Sequence, residues 1–351
     1  QKGIGFQKIL RRILKKSIRN AIIKLRNKGI SRFPALRRRK ERTERNEIGL
    51  NFTKMQALGN DYIYVELLTQ RMENPSAWAR FLSRRRFGVG SDGMILICPS
   101  AKADFRMRVF NPDGSEAEMC GNALRSTAKL VYEKGFTSKT AFTVETLGGI
   151  KELFLTLEDG HVSMITASLG APILESARVP VTLDGGDGRC IDRPVEAAGR
   201  LFRITAVSMG NPHCATFADD AAELDLPLYG AAIETHPVFP QKANVEFVRV
   251  IDENTLFMRT WERNCGETLA CGTGCCVATV AGVLTGRCAP KIAVRQLGGV
   301  IPIEWDRAAD NLLMTGPSGI VFDGTADERA AQAFFDSERR AEAGGKDRES
   351  V

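Results

Sequence analysis

The sequence predicts an α+β fold built from two related halves facing each other. Three observations carry that expectation. Short runs with the alternation of strands outnumber helical patterns, hairpin signals join several of the runs, and one strand–turn–helix segment occurs twice.

The elements follow in chain order. "NFTKMQALGNDYIYVELL", from Asn51, reads as a strand, a Gly-Asn-Asp turn and a second strand. "MILICP", "FRMRVFN" and "TAFTVETL" are further strand runs. "IKELFLTLEDGHVSMITASL" carries two alternating runs around Asp159-Gly160, a hairpin signature, and "NVEFVRVIDENTLFMRTWE" resembles a second hairpin. Helical patterns cover 75–86, 121–135, 272–286 and a terminal stretch near 325–343, and "GGKDRESV" reads as a frayed tail.

The repeat is "RVFNPDGSEAEMCGNALRSTAKLV" from Arg108 and "RTWERNCGETLACGTGCCVATVAG" from Arg259, 151 residues on. In that register Glu116 falls over Glu267, Cys120 over Cys271 and Gly121 over Gly272. Each copy runs from a strand through a turn into a helix of small residues. A pair of cysteines related by a pseudo-twofold would then face one cleft.

Composition bounds the function classes. The 351 residues suffice for two domains, and no apolar run approaches a membrane span. Residues 1–50 hold 17 Lys and Arg against 3 Glu, which leaves 32 basic and 39 acidic residues in 51–351. The body is therefore mildly acidic, and no nucleic-acid partner is expected for it. Nine scattered cysteines read as free thiols in a reducing compartment, the cytoplasm. The arm has Phe6, Ile9, Leu10, Ile13, Leu14, Ile18 and Ile22 at helical spacing among Lys and Arg, followed by a polar linker at 34–47. Such a basic amphipathic helix suits a membrane surface, or an organelle transit peptide for import into a plastid stroma; a disordered or cleaved extension is the plainer alternative.

The repeated Cys-Gly pairs carry the chemistry. Glycine lets backbone approach a ligand closely. The first turn of a helix offers unpaired N–H groups and the positive end of a dipole, which favour a carboxylate. The same field is expected to favour thiolate and lower each cysteine below about 8.5. A carboxylate held between two such helix starts, with a sulfur on each side of its α-carbon, is the geometry of a racemase: one thiolate removes the α-proton and the opposite thiol returns one. No cofactor and no metal are expected. A zinc site made from Cys265, Cys271, Cys275 and Cys276 lacks the second matched pair that such sites favour. Cys275 and Cys276 fall one turn into the helix and read as core. Cys98, Cys190, Cys214, Cys265 and Cys288 read as structural or incidental.

"FTKMQALGNDY", "NPDGSEAEMCGNALR", "SMGNPHC", "KANVEFV" and "ERNCGETLACGTGCC" together resemble the diaminopimelate epimerase family, in its order and over about residues 51–325. The resemblance implies cofactor-independent epimerisation of LL-2,6-diaminopimelate to the meso isomer, the penultimate step to lysine and a source of peptidoglycan precursor. It implies two pseudo-symmetric domains, each a β-sheet barrel curled around a central helix, and a homodimer. The expected division is an extension at 1–50, a first half at 51–168, a second at 169–315, a strand at 316–330 returning to the first half, and a terminal helix and tail at 331–351. Cys120 and Cys271 resemble the two acid–base thiols. Gly121 with Asn122, and Gly272 with Thr273, resemble the carboxylate cradle, and Asn60 resembles a substrate-contacting residue. Asn111, Asn211, Asn244, Glu262 and Arg263 resemble the pocket for the distal amino-acid centre, where an Arg fork suits a carboxylate and Asn oxygens suit an ammonium. His213 resembles a residue that tunes the thiols, paired with Glu262. This sequence departs from many members at Ala123-Leu124, where they read Gly-Ala, and at Gly93, where some carry Gln. It also departs at Phe322, where some carry an interface Tyr, and Cys265 and the Cys275-Cys276 pair are unusual too. A proline or hydroxyproline racemase would share facing thiols without needing the distal Asn and Arg set. A protein acting through its basic arm would leave the matched cysteines unexplained.

Overall fold

The computed structural model describes residues 49–346. The basic helix expected over 4–26 and the linker at 34–47 lie outside the described residues. Two runs of elements follow one another in the same order. The first comprises strands Gly49–Ala57 and Asn60–Glu66, helix α1 (Pro75–Ser83), strands Met94–Cys98, Phe105–Phe110 and Glu116–Ala117, helix α2 (Gly121–Glu133), and strands Ala141–Thr146, Gly149–Glu158 and His161–Ser168. After an extra strand, Arg193–Ala197, the second comprises strands Arg200–Ser208 and Pro212–Phe217, helix α3 (Leu226–Glu234), and strands Asn244–Asp252, Thr255–Glu262 and Gly266–Thr268. It ends with helix α4 (Gly272–Leu284) and strands Lys291–Gln296, Gly299–Asp306 and Asn311–Gly316. The repeat seen around the cysteines therefore runs through both halves, and α2 and α4 begin and end 151 residues apart.

The strands join into one continuous mixed sheet. His161–Ser168 and Asn311–Gly316, the closing strands of the two runs, pair antiparallel with Leu313 opposite Ser168. The last strand, Gly319–Asp327, returns to pair with Gly49–Ala57. Helix α5 (Glu328–Lys346) lies on α1 through Trp78 against Phe335, and Arg80 grips Glu338 with two nitrogens. Its course through Gly344 and Gly345 makes the first residues of the expected tail helical.

Ten of the thirteen residues of α2 and eleven of the thirteen of α4 are buried. Helices buried on nearly every side are core rather than surface helices. Leu124, Ala128 and Val131 of α2 share one apolar cluster with Cys275, Cys276 and Val280 of α4 and with the surrounding strands. This is the expected α+β architecture, two pseudo-symmetric halves each with sheet around a central helix. Cys275 and Cys276 are core, as their position predicts.

Two local details differ from expectation. The first turn is Leu58-Gly59, both at positive φ (56° and 85°), so Asn60 and Asp61 already belong to the second strand. Helix α3 went unpredicted. Its start signals are Asp225, whose carboxylate accepts from the Leu228 N–H at 3.1 Å, and Pro227 in the first turn. Gly230 interrupts its pattern because the Trp261 ring lies where a Cβ would stand, with Cγ at 2.6 Å. Among the described residues no helix is long and apolar enough to cross a membrane.

Candidate active site

Each cysteine is the last extended residue before a central helix: Cys120 has φ −136°, ψ 117° and Cys271 φ −121°, ψ 110°. That backbone turns a side chain back toward the N–H groups of the first turn. The glycines that follow both sit against the tip of Met314, which a side chain there would have to push aside. A Cβ on Gly121 would stand 3.0 Å from Met314 Cε, and one on Gly272 would stand 2.8 Å from Met314 Sδ.

A cleft of about 600 Å³ receives both sulfurs. Asn60, Asn111, Gly121, Asn122, Asn211, Asn244, Glu262, Arg263, Gly272 and Thr273 all line it, so every residue expected to bind substrate falls in one place. His213 does not reach the cleft; it is fully buried behind it. Asn60 is the junction on the first side. Its amide donates to Asp92 at 2.9 Å, and its oxygen accepts from Asn122 Nδ2 at 3.2 Å and from the Cys120 thiol at 3.5 Å. Asn244 is spent on the scaffold: it donates to the Pro212 carbonyl at 2.8 Å and accepts from the Arg263 N–H at 3.0 Å. Asn111 likewise donates to Ser115 Oγ at 2.9 Å. The Arg263 guanidinium is held only loosely, 3.5 Å from the Gln241 carbonyl and 3.8 Å from Glu118, so its fork remains open to a carboxylate.

The electrostatics correct two expectations. Both thiols lie above the ordinary cysteine range, not below it. For Cys120 burial is the larger cause, opposed by the helix-start N–H of Ala123 and by Tyr62 and Asn122, and assisted by Glu262. Cys271 rises further, through burial and then the carboxylates of Glu262 and Glu246, against the Thr273 hydroxyl and the Gly274 N–H. Desolvation of the charged form outweighs the helix-start donors. Glu262 is itself pushed up by burial, while Thr268 Oγ1 donates to it at 2.6 Å.

The second correction concerns His213. It pairs with Glu246 at 2.8 Å, not with Glu262. Its other ring nitrogen meets Asn211 Oδ1 at 3.0 Å. His213, Glu246 and Cys271 bring donor atoms within 4.8 Å of one another, a different set from the four cysteines weighed above. Both ring nitrogens are already engaged with protein oxygens, so a metal would have to displace one of them.

Sequence reasoning missed Tyr62 and Glu246. Tyr62 is 8% exposed, lines the cleft with its hydroxyl in reach of Cys120, and is pushed up by burial and by that sulfur. The repeat register could have found it, since Tyr62 falls over His213 at the same 151-residue offset. Glu246 shows as a lone acid within the apolar run "NVEFV" and is fully buried. Gly93 leaves no room for a side chain, because a Cβ would sit 2.3 Å from the Phe110 carbonyl oxygen and 2.9 Å from the Tyr62 ring. Cys265, read as incidental, is exposed at the same cleft.

Comparison with known proteins agrees with this geometry. The family model described as diaminopimelate epimerase matches residues 52–173 and 205–321. A protein named diaminopimelate epimerase from Methanococcus maripaludis (strain S2 / LL) is 49% identical over 278 residues, 79% of this chain and 100% of that one. One of the same name from Acetivibrio thermocellus is 50% identical, covering 79% and 99%. Solved structures share the fold at low identity. A probable proline racemase from Agrobacterium radiobacter K84 gives a TM-score of 0.61 at 14% identity, covering 78% of this chain and 92% of that one. A Bacillus anthracis phenazine biosynthesis protein of the PhzF family gives 0.55 at 18%, covering 79% and 99%. With its matched segments and its relatives spanning the whole catalytic body, the chain belongs to the diaminopimelate epimerase family.

Proposed function

We propose that this chain interconverts LL- and meso-2,6-diaminopimelate, with Cys120 and Cys271 as the two acid–base groups. The observation that carries the reading is the single cleft in which two helix-capping cysteines stand beside Arg263, Glu262 and the asparagines. Racemases of cyclic amino acids have no second amino-acid end to bind, and the open Arg263 fork favours a substrate that has one.

The reacting carboxylate is taken by the starts of α2 and α4, at Gly121–Asn122 and Gly272–Thr273. One cysteine, as thiolate, takes the α-proton and becomes a thiol; the other, as thiol, gives its proton to the opposite face and becomes a thiolate. The sulfurs thus exchange protonation states in each turnover, and no group from outside the chain is required. Burial raises both thiols, and the substrate's ammonium brings positive charge beside the sulfurs as it binds, which favours the thiolate. The distal end is gripped by Arg263, and His213 with Glu246 holds Asn211 and sets the field at Cys271. Two copies are proposed to pair through the exposed Ile320, Val321 and Phe322 of the last strand.

The test is to incubate the purified chain with LL-diaminopimelate, with no cofactor added, and separate the stereoisomers. Formation of the meso isomer, with proline and hydroxyproline unchanged, supports the reading; turnover of proline in its place overturns it.

A further inference from the structure

The least expected group in the core is Arg125. It is fully buried, yet among the described residues no carboxylate pairs with it. It reaches back along α2 to that helix's own start. Nη2 donates to Asn122 Oδ1 at 2.8 Å, and Nη1 lies 3.4 Å from the Gly121 carbonyl and 3.2 Å from Met314 Sδ, while Nε has no partner. Burial disfavours its charge, and the only acids acting on it are Cys120, Cys275, Tyr64 and Cys276 among the described residues, all ordinarily neutral. A guanidinium does not lose its proton in a protein, so this is a buried cation whose counter-charge the chain does not supply.

Its position is central. Met314, which Arg125 touches, lies beneath both cradle glycines. A Cβ on Gly316 would fall 2.9 Å from Nε and 3.2 Å from Cζ of the guanidinium. Asn122, its hydrogen-bond partner, donates to the Ala270 carbonyl at 3.1 Å, just before Cys271, and to Asn60 at 3.2 Å. At the repeat offset Arg125 falls over Cys276, which is fully buried. The equivalent pair thus carries one cation, and the second half has a small neutral residue in its place.

We infer that Arg125 is a positioning residue whose fixed positive charge is completed by the α-carboxylate of the ligand, held between the starts of α2 and α4 and growing more negative as the α-proton leaves. It acts through Gly121 and Asn122 and does not touch the substrate. The inference rests on the amino-acid epimerase reading above and adds what neutralises the carboxylate there.

The experiment compares full-length wild type, Arg125→Met, Arg125→Gln and Arg125→Lys. It records kcat and KM for LL-diaminopimelate, the pH profile, and Tm with and without saturating meso-diaminopimelate. The two neutral variants are expected to lose about a hundredfold in kcat/KM, the order seen when one preorganised charge-stabilising donor is removed. The Tm rise on adding ligand should shrink, the thiol-dependent limb should move to higher pH, and ligand-free Tm should not fall. Arg125→Lys should recover at least roughly tenfold over the neutral variants, because the charge is kept. A purely packing role would lower ligand-free Tm and leave the ligand-induced rise and the pH limb unmoved, which overturns the inference. So would a folded neutral variant within threefold of wild type. If neither neutral variant folds, Arg125→Lys decides: a retained ligand-induced rise supports the inference and its loss overturns it. Failure of wild type to act on diaminopimelate would instead sink the reading of the substrate.

Discussion

Cys120 and Cys271 occupy equivalent places in equivalent elements, and their surroundings have diverged. Cys120 is half-buried and hands its thiol proton toward Asn60, with Tyr62 alongside. Cys271 is buried, caps its own helix by accepting the Gly274 N–H at 3.4 Å, and lies near His213 and Glu246, with Glu262 also acting on it. Tyr62 and His213 answer to each other in the repeat, as do Arg125 and Cys276. The repeat brings two helix starts to one cleft. The two sulfurs sit in different fields, which suits the proposed substrate, whose distal end would be anchored on one side, at Arg263.

The largest effects should come from removing either sulfur. Cys120→Ala and Cys271→Ala are each expected to reduce epimerisation by roughly 10²–10⁴-fold, the range for losing one positioned acid–base group. Melting temperatures should stay within a few degrees of wild type. Near-normal turnover by either variant would break the equivalence of the two halves. Next comes Arg263→Lys, which keeps the charge and loses the planar fork; a drop of about 30-fold or more in kcat/KM is expected, for a charged hydrogen bond of about 2 kcal/mol. An unchanged kcat/KM would mean that this side of the cleft does not bind the distal carboxylate.

Glu246→Gln sharpens the contrast between the sulfurs. Glu246 is among the carboxylates holding Cys271 up, whereas the carboxylate acting on Cys120 is Glu262. Removing a negative charge favours the thiolate, so the limb set by Cys271 should move to lower pH. The limb set by Cys120 should stay. Measuring kcat/KM against pH in both reaction directions separates them, and equal movement of both limbs would contradict the assignment. The smallest effect is on stability. Arg108 grips Glu116 and Arg259 grips its counterpart Glu267, each with two nitrogens. Arg259 also donates to the carbonyls of Ala221, Ala222 and Leu224 and is 14% exposed against 30% for Arg108. Arg108→Met should cost about 1 kcal/mol or less and Arg259→Met about 2 kcal/mol, read from chemical denaturation. Equal losses would mean the extra carbonyl bonds add nothing.

The parts of this molecule legible in sequence are those whose cause is local. Alternation marked the strands, Asp159-Gly160 marked a hairpin whose two turn residues do adopt positive φ, and Cys-Gly before a run of small residues marked both central helices. The cleft lining was legible through a family resemblance and through the repeat. What escaped depends on contacts distant in sequence. Arg125 meets Met314 across 189 positions, and nothing near it in the chain says that it is buried. The partner of His213 is Glu246 because their strands lie side by side in parallel, with His213 opposite Asn244. The direction of the thiol shifts was misread for the same reason: the helix-start field is local, but the burial that outweighs it is made by the whole fold.

The most direct test of the two-sulfur account is a deuterium experiment. LL-diaminopimelate is turned over to low conversion in D₂O and both isomers are recovered. If one cysteine takes the proton and the other returns one from solvent, the meso product carries deuterium at the inverted carbon while the remaining LL substrate carries almost none. The reverse direction, started from the meso isomer, should give the mirrored result. Product retaining the substrate's own hydrogen, or substrate and product labelled at equal rates, would mean that a single group serves both faces.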